Sequence, residues 1–259
     1  MRQADEILTV FIALVPLLIL ARRAHIAYPI VLVLGGIVIG FVPGLPTVQF
    51  DPDFILVAFL PPLLYWAALT APVHEIARNG RAVALLAVVL VFVTIAAVAW
   101  VAHAALGLAW PVAIVLGAIV APTDEVAAAA IAEDLGVSRS IVATIEGESL
   151  LNDAAALVTY RIAIAAVVVG MPSPSEGVVR FVGAAVGGIV LGLIVGYVAT
   201  SVRRRLHDLA IDNTVSLLTP FLAYIPADAL GLSGVLATVS AGLHLARAYP
   251  TAISSHARL

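Results

Sequence analysis

Apolar residues along this chain come in long, nearly unbroken runs. They do not alternate as on a half-buried strand, nor recur every three to four residues as on a surface helix. The runs cover roughly residues 7–21, 27–43, 53–70, 81–106, 110–132, 141–170, 177–202, 213–228 and 230–246. Most of them, coiled as helices, are long enough to cross a hydrocarbon core of roughly 30 Å. The pattern predicts an all-α, polytopic membrane protein of about nine transmembrane helices. The eighth run is diluted by Thr214, Ser216 and Thr219 and interrupted by Pro220 and Pro226.

Composition agrees with the pattern. Of 259 residues, 63% are hydrophobic and 11% charged, against about 25% charged in soluble domains. Cysteine is absent, which excludes disulfides, thiolate catalysis and cysteine metal sites. Asp5 and Glu6, rather than a basic stretch, precede the first run, so a cleaved signal peptide is not expected. No soluble domain or linker interrupts the runs, and one membrane domain over residues 1–259 is expected.

Charge distribution sets an orientation. There is no lysine, and ten of the thirteen arginines fall on one side of a nine-span arrangement. They are Arg22, Arg23, Arg78, Arg81, Arg139, Arg203, Arg204, Arg205, Arg247 and Arg258, with Arg2 and Arg180 opposite and Arg161 inside the sixth span. Basic loops stay cytoplasmic. The N-terminus is therefore expected outside and the C-terminus in the cytoplasm, in a plasma membrane such as the bacterial inner membrane.

Ionisable groups inside the fifth and sixth spans are the candidate chemistry. A carboxylate at a helix centre costs on the order of 3 kcal/mol on the insertion scale, yet these spans hold Asp124, Glu125, Glu146, Glu148 and Asp153. Asp124 lies fourteen residues beyond Trp110 and Asp153 twelve beyond Ile141. Entering from opposite sides, they reach depths of about 21 Å and about 18 Å. Pro122 removes a backbone donor and disfavours helix at Ala121, so "APTDE" is expected to break the fifth span beside Thr123 and Asp124. Such broken helices at mid-membrane are where secondary transporters hold ions. Ser149 and Asp153 share one helix face, as do Glu148 and Asn152. Arg161, about 12 Å beyond Asp153 along the helix, reads as a charge of the outer leaflet. His103 and His244 read as interfacial, and six scattered histidines have no metal-ligand spacing. Gly183, Gly187, Gly188, Gly192 and Gly196 form small-xxx-small spacings suited to close helix packing.

Three stretches carry a resemblance: "FLPPLLYWAAL" (59–69), "APTDEVAAAAIAEDLGVSRSIVATIEGESLLNDAAALV" (121–158) and "LSGVLATVSAGL" (232–243). In type, order and spacing they resemble the monovalent cation/proton antiporter family of bacterial sodium/proton antiporters and animal sodium/proton exchangers. The resemblance implies a two-bundle fold of inverted repeats, usually thirteen helices, acting as a homodimer and exchanging Na⁺ or K⁺ for H⁺. It implies that Asp153 binds cation or proton in turn, with Thr123 and Ser149 as further oxygen ligands of the transported ion. Asp124 would sit at the crossing of unwound helices, and Asn152, Glu148 and Pro122 would support the site. Asn before the binding aspartate goes with electroneutral exchange in that family. No cofactor and no nucleic acid is implied; the partners are the two ions and the lipid bilayer.

Three departures accompany the resemblance. Trp66 stands where the family has an acidic residue. Glu125 replaces a proline and is a candidate substitute carboxylate. The match ends about four helices short, so the arginine that pairs with Glu148 in the family is missing. Glu148 would then be an unpaired buried acid, and the 259-residue chain alone is expected to transport poorly or not at all unless a C-terminal fragment complements it.

A passive cation channel is the alternative transport class, separated by whether one ion can be driven uphill. An enzyme is not expected. Aspartyl intramembrane proteases carry their second aspartate after Gly-x-Gly, whereas the contexts here are "APTD" and "LLND". "GLSG" (231–234) mimics a rhomboid serine motif, but His244 lies eleven residues beyond Ser233, about 16 Å on one helix, out of a base's reach.

Overall fold

The structure is a computed structural model that describes residues 14–23, 28–41, 52–123, 137–170, 173–205 and 208–248. Among these every regular element is helical and there is no strand. In chain order they are α1 (14–23), α2 (Tyr28–Gly40), α3 (Pro52–Thr70), α4 (Val73–Arg78) and α5 (Gly80–Leu106). Then come α6 (Trp110–Val120), α7 (Arg139–Val169), α8 (Pro174–Arg203), α9 (Leu209–Ala229) and α10 (Gly234–Ala248).

Three of these, Gly80–Leu106, Ser140–Val169 and Ser175–Arg203, are long and apolar enough to cross a membrane. Their 27, 30 and 29 residues extend about 40–45 Å at 1.5 Å per residue. Shorter apolar helices cover Ile30–Gly40, Phe54–Thr70 and Trp110–Val120. Large apolar side chains on their outer faces are bare, among them Val93, Trp100, Val168 and Val179, as is Leu217 of α9. A water-soluble domain of this size does not leave such a surface open; hydrocarbon covers it in a membrane protein.

Several helix ends follow from local chemistry. Ser173 caps α8, its hydroxyl accepting from the Glu176 amide at 3.3 Å, with Pro174 at the first helical position. The Asp208 carboxylate caps α9 by accepting from the Ala210 and Ile211 amides at 2.8 and 3.3 Å. Gly107, at φ 65°, closes α5 in the left-handed conformation. The polar residues of α9 do not break it. Thr214 and Thr219 donate to the carbonyls of Ala210 and Val215 at 2.8 and 2.7 Å, so their hydroxyls are satisfied within the helix. Pro220 and Pro226 lie inside it. The short helix α4 falls between two of the apolar runs and carries no periodic signal of its own.

Helices α3 to α10 sort into two bundles joined through α7. In one, α8 packs on α10 more extensively than any other pair, and α3 and α9 complete it. The reason is α8's glycine stripe. A Cβ at Gly188 would lie 2.4 Å from the Ser233 carbonyl oxygen, and one at Gly192 only 2.1 Å from that of Ala237. Gly187 meets Leu232 and Gly196 meets Ala241 in the same groove, whereas Gly183 faces open space. Without a hydrophobic force between helices in lipid, such close backbone approach supplies the attraction. Ala223, Ala227, Ala237 and Ala241 form this bundle's small-residue core.

The second bundle is α4, α5, α6 and α7. Gly117 of α6 rests on α5, where a Cβ would lie 2.6 Å from the Ile95 carbonyl oxygen. Val91, Ile95, Ala118, Ala121, Ala155 and Ala156 fill its core. α5 contains a π-helical turn over Leu85–Leu90. On its other flank α7 inserts Leu150 and Ala154 among Leu64, Ala68, Tyr224, Val235, Leu236 and Val239 of the first bundle. The seam between the bundles therefore runs along α7.

Candidate functional site

The site is built where the chain leaves α6. That helix ends at Val120, two residues before Pro122, and Ala121–Thr123 are non-helical. Pro122 has no N–H to continue the ladder, and Thr123 is thereby presented to α7. Asp124 and Glu125, and with them the expected approach of Asp124 to Asp153, lie outside the described residues.

Opposite Thr123, the first half of α7 carries Glu148, Ser149, Asn152 and Asp153. Glu148 and Asn152, four residues apart, stack on one face, and the Asn152 amide nitrogen donates to Glu148 Oε1 at 2.9 Å. It also donates to Thr123 Oγ1 at 2.9 Å and to the Thr123 carbonyl at 3.4 Å. The Thr123 hydroxyl donates to both Glu148 oxygens, at 3.0 and 3.1 Å, and Ser149 Oγ donates to the Thr123 carbonyl at 3.4 Å. Three acceptors around one nitrogen fix the orientation of the amide. That leaves Asn152 Oδ1 buried with no hydrogen-bond partner, although the residue is 0% exposed. Glu148 and Ser149 are buried as well.

This network corrects one expectation. Glu148 is not an unpaired buried acid, because Thr123 and Asn152 each donate to its carboxylate. Hydrogen bonds to a charged group contribute about 1.5–3 kcal/mol each, and two of them offset much of the burial.

Asp153 lies one residue on, about 100° around the helix, and belongs to a different setting. It is half-buried and lines a cleft of about 390 Å³ with Pro122, Ala118, Tyr160, Leu157, Leu60 and Val235. The cleft lies on the seam: α6 and α7 come from one bundle, α3 and α10 from the other. Among the described residues its wall is apolar apart from Asp153 and Tyr160. From α3 come Leu56 and Leu60 and no side-chain oxygen. Trp66, where an acidic residue was expected by resemblance, is 65% exposed on α3. Pro61 and Pro62, inside α3 just beyond Leu60, remove the donors that would hold the Val57 and Ala58 carbonyls.

The structure thus gathers Thr123, Glu148, Ser149 and Asn152 into one hydrogen-bonded node and sets Asp153 and Pro122 on the cleft beside it. A larger apolar cleft of about 530 Å³ between Phe92, Ile114, Ile162 and Phe181 carries, among the described residues, the hydroxyls of Thr159 and Ser173 as its polar side-chain groups.

Other groups take structural places. His103 bonds the Leu108 carbonyl through Nδ1 at 2.6 Å and stacks on Trp110 at 4.4 Å, closing the α5–α6 turn. His244 meets Tyr197 edge-on. Ser233 of the "GLSG" stretch is a cap: its Oγ accepts from the Leu236 amide and its own amide donates to the Ala184 carbonyl.

Two polar contacts were not anticipated. Asn79, between α4 and α5, donates to Ser140 Oγ at 2.9 Å and Thr144 Oγ1 at 3.0 Å, tying that corner to the start of α7. Arg161 is paired with Asp228 at the end of α9. Each joins residues over sixty positions apart, and a lone Asn or Asp beside a loop carries no signal of its partner.

Comparison with known proteins accords with this architecture. The family model described as "Sodium/hydrogen exchanger, transmembrane" matches residues 7–257. The chain is 38% identical over 258 residues to an uncharacterized Na(+)/H(+) exchanger of Mycobacterium bovis, spanning 97% of this chain and 47% of the relative. It is 32% identical over 248 residues to a sodium, potassium, lithium and rubidium/H(+) antiporter of Bacillus pumilus, spanning 90% of this chain and 37% of the relative. To a Na(+)/H(+) antiporter of Aphanothece halophytica it is 31% identical over 227 residues, 85% of this chain and 42% of the relative. It therefore spans less than half the length of each of these relatives. An all-helical, lipid-facing chain with an acidic seam and a family match along nearly its whole length has one assignment: it belongs to the sodium/hydrogen exchanger family of membrane proteins.

Proposed function

We propose that this chain forms the ion-binding half of a secondary transporter that exchanges a monovalent cation, Na⁺ or K⁺, for H⁺, and that Asp153 is the group for which the two ions compete. The observation that carries the reading is the position of Asp153: among the described residues it is the carboxylate on a cleft at the seam of two bundles, braced from behind by a hydrogen-bonded polar node. One carboxylate holds either a proton or a hard cation that needs oxygen ligands. Each release on one side of the membrane then requires loading of the other ion, which couples the fluxes without another energy source.

The node keeps α7 and the 121–123 turn in register beside the cleft that Asp153 lines; in this reading Thr123 and Ser149 supply further oxygen ligands to the ion. Asn152, neutral beside Asp153, leaves one titrating charge per cycle and supports electroneutral exchange. The seam supplies the two-sided access: relative movement of the bundles exposes the cleft to either face. Nine spans, an outward N-terminus, a cytoplasmic C-terminus, residence in a bacterial inner membrane and a homodimeric whole protein complete the proposal. In it, the helices that the longer relatives carry join this stretch, either in the same chain or as a separate fragment.

The test is a pH-gradient assay in membrane vesicles containing this stretch joined to the helices that the longer relatives carry. Added Na⁺ or K⁺ should dissipate an imposed gradient, and an imposed cation gradient should drive H⁺ uphill. Asp153→Asn should remove both effects. Downhill flux alone, with no uphill coupling, would indicate a pore and end the exchange reading.

A further inference from the structure

Asp153, Leu157 and Arg161 lie four residues apart on one stripe of α7, about 6 Å per step along the axis. Leu157 lines the Asp153 cleft and also a second cavity of about 460 Å³, farther along the same seam. That second cavity is bounded by Arg161 of α7, Arg180 and Ala184 of α8, and Leu232, Ser233 and Gly234 at the start of α10. The two spaces therefore share a wall, and Leu157 stands between them.

Arg161, on the wall of the second cavity, pairs with Asp228 of α9. The two side chains are 42% and 39% exposed. This ion pair crosses from the bundle that bears Asp153 to the bundle that α8 and α10 hold together. Arg180 is occupied within its own helix by Glu176 at 2.6 Å, so it does not compete for Asp228.

We propose that Arg161 and Asp228 form a clasp that closes this end of the seam over Asp153, with Leu157 as the apolar plug beneath it. Opening toward this side separates the bundles, parts the ion pair and withdraws Leu157, so that the two cavities become one path. While the clasp is shut the guanidinium repels an approaching cation. Once it is parted, the Asp228 carboxylate faces the path and attracts one. Arg161 and Asp228 are thus positioning residues for access, distinct from Asp153, which receives the ion. The inference rests on the exchange reading for its purpose but not for its test.

Because the chain has no cysteine, Val235→Cys places a single reporter thiol on the Asp153 cleft. Its reaction with a membrane-impermeant cationic thiosulfonate, added from the Arg161 side, measures how often the seam opens. Asp228→Asn and Arg161→Gln should each raise the labelling rate about fivefold, the factor matching the upper range for an exposed ion pair. The charge-exchanged double variant Arg161→Asp/Asp228→Arg should return it near the starting value. Unchanged labelling in both single variants, or a double variant as fast as the singles, would overturn the clasp.

A second measurement does not depend on the stability of a broken pair. In the background without the reporter, Arg161→Cys/Asp228→Cys should form a disulfide that stops exchange, and reduction should restore it. Undiminished exchange with the disulfide complete overturns the clasp. Clasp-dependent labelling in a protein that shows no exchange even when the helices of the longer relatives are supplied supports the clasp and removes the exchange reading instead.

Discussion

Asn152 and Asp153 are neighbours in sequence, similar in size and equally polar, yet the fold gives them opposite circumstances. Asn152 is fully enclosed and its amide is spent on Thr123 and Glu148. Asp153 looks into a cleft shared by two bundles. A turn of about 100° between consecutive helical residues accounts for the separation. One face of α7 holds the break after α6 in place; the other lines the cleft at the seam. A polar residue in a membrane span can thus serve structure or transport, and the direction its side chain takes decides which.

The sharpest way to break this comparison is to neutralise each face in turn. Asp153→Asn should lower cation-dependent proton flux by at least about a hundredfold, as expected when the one carboxylate that stabilises a bound cation is removed, while thermal unfolding in detergent stays the same or rises. Retained exchange in that variant would show that the cleft is not the ion path.

Glu148→Ala should act the other way. It leaves the Thr123 hydroxyl without its acceptor and removes one of the three acceptors around the Asn152 nitrogen, and an orphaned buried donor costs about 1–3 kcal/mol. Unfolding in detergent should therefore move clearly downward, with Glu148→Gln recovering part of the loss. Unaltered stability would mean that the node is decorative.

The first bundle offers a control away from both faces. Gly192→Ala would push a methyl group into the Ala237 carbonyl, 2.1 Å away, and overpacking of this kind costs about 1–3 kcal/mol. Gly183→Ala, on the same stripe but facing open space, should be silent, and paired unfolding curves read the contrast directly.

The smallest expected effect is at the arginine-rich end. Arg203 Nε and Nη2 donate to the two Asp212 oxygens at 2.6 and 2.8 Å, outside the apolar runs 177–202 and 213–228. These bonds and the guanidinium charge hold the Asp212 carboxyl below its ordinary value. A depressed folded value means that the contribution is complete above the unfolded value, near 4, and fades as pH falls through the folded one. Asp212→Asn should lower stability by about 1 kcal/mol or less at neutral pH, and the gap to the unaltered protein should narrow in strong acid.

Much of this was legible from residue order. Runs of apolar residues longer than a soluble helix needs locate the helices, because hydrocarbon leaves the backbone no other way to satisfy its hydrogen bonds. The stop at Pro122, the glycine stripe of α8 and the polar first half of α7 are likewise local facts. The short helix α4 was not legible, since it has neither length nor periodicity. Glu148 was misjudged because its donors arrive from Thr123, twenty-five residues earlier, and from a side chain whose rotamer no spacing rule specifies. Asp228 escaped notice because its partner lies sixty-seven residues before it.

Sequence alone determined that this is a helical membrane protein, which helices carry the acidic groups, and which face of α8 is small enough to take another backbone. These follow from hydropathy, proline and glycine, whose effects act within a few residues. Only the tertiary structure decided that Asn152 is enclosed in the node while Asp153 lines the cleft, that the seam passes along α7, and that Arg161 reaches Asp228. Those outcomes depend on how separate helices rotate and pack against one another, a property no single helix holds in its own sequence.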